Sequence, residues 1–182
     1  MASVLVLLAT GAEEMETTIT VDVLRRGGIQ VTLAGVDGSD PVLCSRGVRI
    51  VPDIALTDAK GPFDMIVLPG GNEGARRLAE SSAVGALLRE QEASGKIAAA
   101  ICAAPTALAA HGVFAGRKLT AYPTVRDRIA SHGSVVDDEV VDDRNLVTSQ
   151  GPGTTFSFAL ALVEKLAGKA TADSVRKGML LP

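Results

Sequence analysis

Three short apolar runs, at residues 3–8, 63–68 and 96–101, constrain the fold of this chain more than any other feature of its sequence. Apolar runs without regular polar alternation are typical of strands that are covered on both faces. Each run ends in a turn of glycine or small residues, and helical spacing follows. Strands that alternate with helices in this way predict a doubly wound α/β sandwich.

The full pattern predicts one domain over residues 1–182, with a mostly parallel sheet and helices on both faces. Strands are expected at 3–8, 29–35, 63–68, 96–101 and 118–121, hairpin pieces at 42–44 and 49–51, and a late strand pair at 134–141 and 145–148. Helices are expected at 13–26, 74–79, 82–94, 105–110, 124–130, 154–167 and 171–181, with a brief turn or helix at 57–61. The apolar face of the first helix is predicted to contain Met15, Ile19, Val23 and Leu24.

Four separate turns are expected to meet at one edge of this sheet. In doubly wound folds, ligands bind beyond the carboxyl ends of the strands, at the point where the strand order reverses. The turns at those ends comprise residues 11–16, 70–72, 102–103 and 151–153. The fold therefore predicts a site that contains a thiol, acids and several glycine-rich backbone segments.

Cys102 stands where the run 97–101 meets the start of the small-residue helix 105–110. A sharp strand-to-helix turn lifts a side chain off the end of the sheet, as in nucleophile elbows. The free N–H groups at the start of the helix favour an anion, so we expect this thiol to lose its proton more easily. The alternative is that Cys102 is a small buried hydrophobic residue without a chemical role.

Glu13, Glu14 and Glu16 lie in the first turn of the first predicted helix. Successive helical residues point about 100° apart, so the three cannot all face one pocket. Capping and the helix dipole account for one or two of them. A carboxylate beside Cys102 would oppose the thiolate, whereas a protonated carboxyl would donate to it, and the two groups would titrate as a coupled unit.

The glycine-rich turns have two interpretations each. The N–H groups of Gly70 and Gly71 can approach a ligand or an oxyanion closely, although a plain turn explains the same residues. The segment 151–155 can hold a phosphate at a helix start, or Thr154 or Thr155 can cap that helix.

Composition excludes several functional classes. Aromatic residues make up 3% of the chain, with no Trp, and the net charge is −3, which argues against nucleic-acid binding. Two cysteines fit a reducing, cytoplasmic setting, with mitochondria and the nucleus left open, and no signal peptide or membrane segment is expected. The spacing of the two cysteines and two histidines indicates no metal site, and His111 and His132 support no Cys–His dyad. Walker A and dinucleotide-binding motifs are absent.

Six segments of the chain, in order and at similar spacing, resemble the DJ-1 branch of the DJ-1/PfpI superfamily. They are GAEEMET at 11–17, DVLRRGGI at 22–29, PVLCSR at 41–46, VLPGGN at 67–72, AAICAAPTALAAHG at 99–112 and TSQGPGTTFSFALALVE at 148–164. The resemblance implies a flavodoxin-like fold with a cysteine nucleophile elbow, and a homodimer.

The resemblance also assigns roles to individual residues. Cys102 is the implied reactive cysteine and Glu16 the carboxylate beside it. Backbone N–H groups of Gly71 and Ala103, next to Gly70, form the implied anion pocket, with Gly153 on the turn beside it. Arg46, the Arg25–Arg26 pair and Cys44 are placed near the dimer contact, with Cys44 oxidisable but not catalytic. The chain departs from the family pattern at Tyr122, where members often carry a histidine, and a tyrosine is a poor base near neutral pH.

The implied activity is that of a cofactor-independent glyoxalase, which converts methylglyoxal or glyoxal to lactate or glycolate through a hemithioacetal of Cys102. The same chemistry on glycated protein or nucleotide adducts would be a deglycase activity. The alternative is a redox sensor or chaperone in which Cys102 is oxidised to a sulfinate. The implied partners are small dicarbonyls or glycated adducts and a second copy of the chain, with no membrane.

Overall fold

The structure is a computed structural model that describes residues 1–182. Its strands are β1 (Ser3–Leu8), β2 (Gln30–Gly35), β3 (Val42–Leu43), β4 (Arg49–Ile50), β5 (Ile54–Ala55), β6 (Met65–Leu68), β7 (Ile97–Ile101), β8 (Lys118–Leu119), β9 (Ser134–Val135), β10 (Val140–Asp143) and β11 (Leu146–Ser149). Its α-helices are α1 (Glu14–Arg26), α2 (Asn72–Glu80), α3 (Ser82–Ala93), α4 (Pro105–His111), α5 (Arg126–Ile129), α6 (Thr155–Ala167) and α7 (Lys169–Gly178). Short 3-10 turns span Leu56–Asp58, Pro123–Val125 and Pro152–Thr154.

Seven strands form the central sheet in the order β10-β11-β7-β6-β1-β2-β5. All neighbours are parallel except β10, which runs antiparallel to β11. The strand order reverses beside β1, because β2 lies on one side of it and β6 on the other. This is the predicted doubly wound, flavodoxin-like arrangement, and it directs the carboxyl ends of β1, β6, β7 and β11 to one edge.

The three apolar runs form the middle of the sheet. Residues 4–8, 65–68 and 98–101 are all buried, as expected for strands that are covered on both faces. The alanines at 98–100 leave little side-chain bulk on β7. Each buried Val or Leu contributes about 1.5–3 kcal/mol of transfer free energy, so these runs stabilise the sheet.

The helices are either too short or too polar to cross a membrane.

The predicted apolar face of α1 is wrong in part. Val23 and Leu24 are buried, but Met15 is 50% exposed, while Glu16, Thr17 and Thr20, like Val21, lie inside the molecule. The hydrophobic pattern misses this because the buried side of α1 includes the edge where the sheet presents its functional turns. Hydrogen bonds satisfy part of this polar surface, since the Glu16 Oε2 accepts the Gly70 N–H and the Thr17 hydroxyl donates to the Glu13 carbonyl.

The late strands also differ from the prediction. The segment expected at 118–121 does not join the central sheet, because β8 pairs with β9 in a separate two-stranded sheet. The expected strand 134–141 is divided into β9 and β10 by the acidic segment 137–139. The hairpin of β3 and β4 forms as expected, whereas β5, only two residues long, gives no sequence signal.

Candidate active site

Cys102 lies in a sharp turn between β7 and the helix α4. Its φ angle of 65° is in the left-handed region that L-residues other than glycine seldom adopt. Two backbone hydrogen bonds hold it there: its N–H donates to the Ser149 carbonyl at 3.0 Å, and its carbonyl accepts from the Tyr122 N–H at 2.9 Å. An outlier of this kind costs about 1–3 kcal/mol and is typical of functional turns.

Glu16 lies directly beside the thiol. Its side chain is fully buried, its Oε2 accepts the N–H of Gly70 at 2.7 Å, and its Oε1 is buried without a hydrogen-bond partner. A Cβ atom at Gly70 would lie 2.7 Å from the Cys102 Cβ and 2.8 Å from the Glu16 Oε2. The close approach of thiol and carboxyl therefore requires glycine at this position.

The thiol and the carboxyl both titrate above their ordinary ranges. Burial is the largest cause and raises the pKa of Glu16 to about 7, and the charge of Glu13 adds to the rise. Burial, followed by the charge of Glu16, raises the pKa of Cys102 to about 12. The helix start does not make this thiol easily ionised, which corrects the sequence-based expectation. The carboxyl is the group that changes charge near neutral pH, and the thiol is coupled to it.

Backbone N–H groups oppose this effect of burial on the sulfur. The N–H groups of Gly71 and Ala103 lower the pKa of Cys102, because backbone donors favour the thiolate, although by less than burial raises it. Gly71 has a φ of 82°, and a Cβ there would lie 2.3 Å from the carbonyl oxygen of Gly11. Three of the four predicted turns, 11–16, 70–72 and 102–103, thus supply the two donors, the acid and the thiol.

The three glutamates of the first turn point in different directions. Glu13 is the N-cap of α1, and its Oε2 accepts the N–H of Glu16 at 2.7 Å. Glu14 turns toward the β3–β4 hairpin, where it accepts from the Ser45 hydroxyl and the Arg46 N–H, each at 2.8 Å. Only Glu16 reaches the thiol, in keeping with the roughly 100° that separates neighbouring helical positions.

Tyr122 forms one wall next to the turn. Its N–H holds the Cys102 carbonyl, and its ring lies against Gly151, where a Cβ would be 3.2 Å from the ring. Gly153 is exposed, and a Cβ at that residue would have no atom within 4 Å. Gly151, rather than the expected Gly153, is therefore the glycine of this turn that contacts Tyr122.

Arg26, Arg46 and Cys44 lie away from the thiol–carboxyl pair, and none of them forms a hydrogen bond or ion pair with Cys102 or Glu16. Arg26 pairs with Asp22 on the exposed face of α1. Cys44 is buried at the end of β3, and burial together with the charges of Glu14 and Glu13 raises its pKa to about 11.

Neither histidine is near the thiol. The His111 Nε2 lies 2.9 Å from the Leu78 carbonyl, and the His132 Nε2 lies 2.9 Å from the Val113 carbonyl, so each holds a neighbouring backbone segment. No group of three or more His, Cys, Asp or Glu side chains is arranged to hold a metal ion.

Ser149 is the site residue that sequence reasoning missed. Its carbonyl fixes the N–H of Cys102, and its hydroxyl donates to the Glu139 carbonyl at 2.7 Å and lies 2.7 Å from the Thr154 hydroxyl. The contact depends on the pairing of Ile101 with Ser149 across two parallel strands. A single sequence contains no signal for that register.

The fold and the site together define a flavodoxin-like α/β protein with a cysteine elbow beside a buried glutamic acid. The chain belongs to the DJ-1/PfpI family, whose profile matches residues 2–165. The chain is 54% identical to Protein dj-1beta of Drosophila melanogaster, over 98% of this chain and 97% of that protein. The crystal structure of Drosophila melanogaster DJ-1beta superimposes with a TM-score of 0.98, over 100% of this chain and 98% of the Drosophila chain.

Two other relatives bear on the chemistry. Glutathione-independent glyoxalase DJR-1.2 of Caenorhabditis elegans is 47% identical over 98% of this chain and 96% of that protein. The structure described as Toxoplasma gondii DJ-1, oxidized, is 36% identical, covers 100% of this chain and 99% of its own, and has a TM-score of 0.95.

Proposed function

We propose that this protein is a cofactor-independent glyoxalase that converts methylglyoxal to lactate and glyoxal to glycolate. The observation that carries the proposal is that the Cys102 side chain and the Glu16 carboxyl lie side by side against Gly70, and that the pKa of this carboxyl is raised to about 7. A nucleophile next to a base that titrates near neutral pH is the arrangement that covalent catalysis needs. The glyoxalase among the relatives supports the same activity.

The first step adds the thiol across the aldehyde carbonyl. The ionised Glu16 carboxylate takes the proton of Cys102 as the sulfur attacks the aldehyde carbon, because a free thiol of raised pKa is a poor nucleophile until that proton leaves. A carbon–sulfur bond forms, the C=O double bond becomes a single bond, and its oxygen receives the proton. The N–H groups that face the sulfur, from Gly71 and Ala103, stabilise the negative charge that develops in this step.

The second step moves a proton between the two carbons of the substrate. Glu16 removes the hydrogen of the carbon bound to sulfur as a proton, which gives an enediolate with its negative charge on the oxygen of the neighbouring carbon. Glu16 returns that proton to the neighbouring carbon, and the hydroxyl proton of the first carbon passes to the oxygen of the second, which gives a thioester. Water then cleaves the thioester, releasing the hydroxy acid and the free thiol. One carbon is oxidised and the other reduced, so the substrate supplies its own redox balance.

The test is lactate formation from methylglyoxal by the purified protein, without glutathione or added metal. The Cys102→Ser variant is expected to lose all measurable turnover, and Glu16→Gln to lose about a hundredfold or more, because the base is gone. Cys44→Ser is the matched control and is expected to keep near-normal turnover. Lactate formation by Cys102→Ser at the wild-type rate would contradict the mechanism, because it would show that the thiol is not the nucleophile.

Deglycase activity on glycated side chains is a narrower proposal of the same chemistry. Cys102 is only 8% exposed, and Glu16 is fully buried, so an adduct must reach into the turn at its carbonyl carbon. Adding a scavenger of free dicarbonyl distinguishes the two substrates. Repair that continues at the same rate with the scavenger present indicates direct action on the adduct.

A redox-sensing role is the second candidate. The solved structure described as Toxoplasma gondii DJ-1, oxidized, favours it, as does a carboxyl beside Cys102 whose pKa is raised to about 7. A protonated Glu16 can donate to a sulfinate of Cys102, and the Gly71 and Ala103 N–H groups can hold its oxygens. Mass spectrometry after mild peroxide treatment is expected to show two added oxygens on the Cys102 peptide, and an unmodified peptide would remove this candidate.

We propose a homodimer as the state in which the protein acts. Met15 of α1 and Leu43 and Val48 of the β3–β4 hairpin are each 43–50% exposed, and the hairpin is tied to the start of α1 by the Gly11–Leu43 and Ser45–Ala12 backbone hydrogen bonds. Single exposed apolar residues are common, but several on adjoining elements favour burial against another surface. Light scattering on a size-exclusion column is expected to give twice the mass of the chain.

A further inference from the structure

Glu13 is joined to the reactive pair by a closed ring of three hydrogen bonds. The Glu13 N–H donates to the Gly70 carbonyl at 3.0 Å, and the Gly70 N–H donates to the Glu16 Oε2 at 2.7 Å. The ring closes where the Glu16 N–H donates to the Glu13 Oε2, also at 2.7 Å. The backbone and the carboxyl of Glu16 are thus both fixed by one neighbouring turn and one neighbouring side chain.

Glutamate is an unusual choice for the position that Glu13 occupies. N-caps are most often Ser, Thr, Asp or Asn, whose short side chains reach the N–H groups of the first turn. The Glu13 side chain also accepts an N–H of the first turn, but it is longer and charged, and the residue is only 9% exposed. Serine would satisfy the same N–H without burying a charge, so capping alone does not explain a glutamate here.

The charge of Glu13 also reaches the active carboxyl. The groups that face Glu16 are the Gly70 N–H from the turn after β6, the Cys102 thiol from the elbow and the Glu13 carboxyl from its own helix. Glu14, which lies between the two acids in sequence, faces Ser45 and Arg46 instead. No Lys, Arg or His side chain is among the groups that shift the pKa of Glu16.

We propose that Glu13 is a positioning residue for the Cys102–Glu16 pair, which fixes the Glu16 carboxyl through the ring and keeps a second negative charge beside it. That charge favours the protonated form of Glu16, because two carboxylates close together oppose ionisation of each other. Glu13 therefore sets the pH at which the pair loses its first proton. The inference deepens the proposed function, because it names what tunes the base of that site.

The test follows the alkylation of Cys102 by iodoacetamide from about pH 5 to about pH 9, with the Cys102 and Cys44 peptides separated by mass spectrometry. Glu13→Gln keeps an oxygen that can accept the Glu16 N–H and removes the charge. Its alkylation profile is expected to move to lower pH by about 0.5–1 unit. Glu13→Ala also loses the hydrogen bond, so its profile is expected to move in the same direction with a lower alkylation rate at its plateau.

Glu14→Gln is the matched control, because it removes a neighbouring charge of the same helical turn that faces away from the pair. Its profile is expected to coincide with that of the wild type. A Glu13→Gln profile with an unchanged midpoint would overturn the proposal, and so would an equal shift in Glu14→Gln. Should Glu13→Ala fail to fold, the Glu13→Gln result alone decides.

Alkylation requires no turnover of a dicarbonyl, so this result is independent of the glyoxalase assay. A shifted alkylation profile in a protein that forms no lactate would support the role of Glu13 and reject the proposed activity. Lactate formation together with an unshifted profile would do the reverse.

Discussion

The two cysteines of this chain are equally buried and yet lie in opposite chemical surroundings. Cys102 is 8% exposed and Cys44 is 5% exposed, and burial is the main cause that raises the pKa of each thiol. Cys102 has a carboxyl and two backbone N–H groups around its sulfur. The one hydrogen-bond partner of the Cys44 sulfur is the Val42 carbonyl, at 3.9 Å.

The groups around a sulfur, rather than its exposure, therefore decide whether a buried thiol can react. Glu16 can take the proton from Cys102, and the N–H donors can hold the charge that follows. At Cys44 the nearest acids, Glu14 and Glu13, only oppose ionisation, and a carbonyl offers no donor to a thiolate. The backbone differs as well, because Cys102 has a positive φ and Cys44 does not. The sharp turn at Cys102 brings its sulfur to these partners.

The largest expected effect is on alkylation of the wild-type protein near neutral pH. Cys102 is expected to react with iodoacetamide at least about tenfold faster than Cys44, because only Cys102 has a proton acceptor and anion donors beside its sulfur. Mass spectrometry of the two peptides over time measures the ratio. Equal alkylation rates would show that the surroundings of Cys102 do not activate its thiol.

Glu16→Gln is expected to change how the free energy of unfolding depends on pH. The folded-state pKa of Glu16, about 7, lies above the ordinary value of 4.5, so the folded protein binds this proton more tightly than the unfolded chain does. The wild type therefore loses stability as the pH rises from about 4.5 to about 7. The variant keeps an acceptor for the Gly70 N–H and lacks this loss, so its stability relative to the wild type should rise across that window by about 1–3 kcal/mol.

Urea titrations at several pH values measure this difference, and Glu14→Gln provides a control of opposite sign. Burial alone would raise the pKa of Glu14, but hydrogen bonds from its own N–H, Ser45, Arg46 and Val48 lower it overall. Removing that carboxylate should reduce relative stability as the pH rises through its range. Parallel curves for wild type and Glu16→Gln would show that Glu16 has an ordinary pKa, and the contrast between the two thiols would then lose its electrostatic basis.

Most of the fold could be predicted from the sequence, because its strongest signals are local. The strands β1, β6 and β7 are short apolar runs, and α6 lies between a glycine turn and Gly168, so their existence follows from periodicity and punctuation. The separate pairing of β8 with β9 could not be predicted, because it depends on contacts between distant segments of only two residues each. The exposure of Met15 was missed for a related reason, since the pattern does not show which side of α1 faces the functional edge.

The site was predictable in its position and less so in its electrostatics. The rule that ligands bind beyond the carboxyl ends of strands brought Cys102, Gly70 and the acids of α1 to one edge. The choice of Glu16 among three acids came from the family resemblance. The rise in the pKa of Cys102 could not be foreseen, because it depends on how deeply packing buries the sulfur, and the hold of Ser149 on the elbow depends on strand register.

The smallest expected effect concerns Tyr122, where family members often have a histidine. The Tyr122 ring is 43% exposed, its hydroxyl has no hydrogen-bond partner within the chain, and its backbone already holds the Cys102 carbonyl. Tyr122→His would add a group that titrates near neutral pH beside the elbow, so we expect lactate formation to rise by about two- to tenfold. Tyr122→Phe keeps the ring against Gly151 and should match the wild type within about twofold, because the hydroxyl contributes no hydrogen bond within the chain. If the His and Phe variants have equal rates, Tyr122 acts through its backbone and its ring alone, and Glu16 is sufficient as the base that distinguishes Cys102 from Cys44.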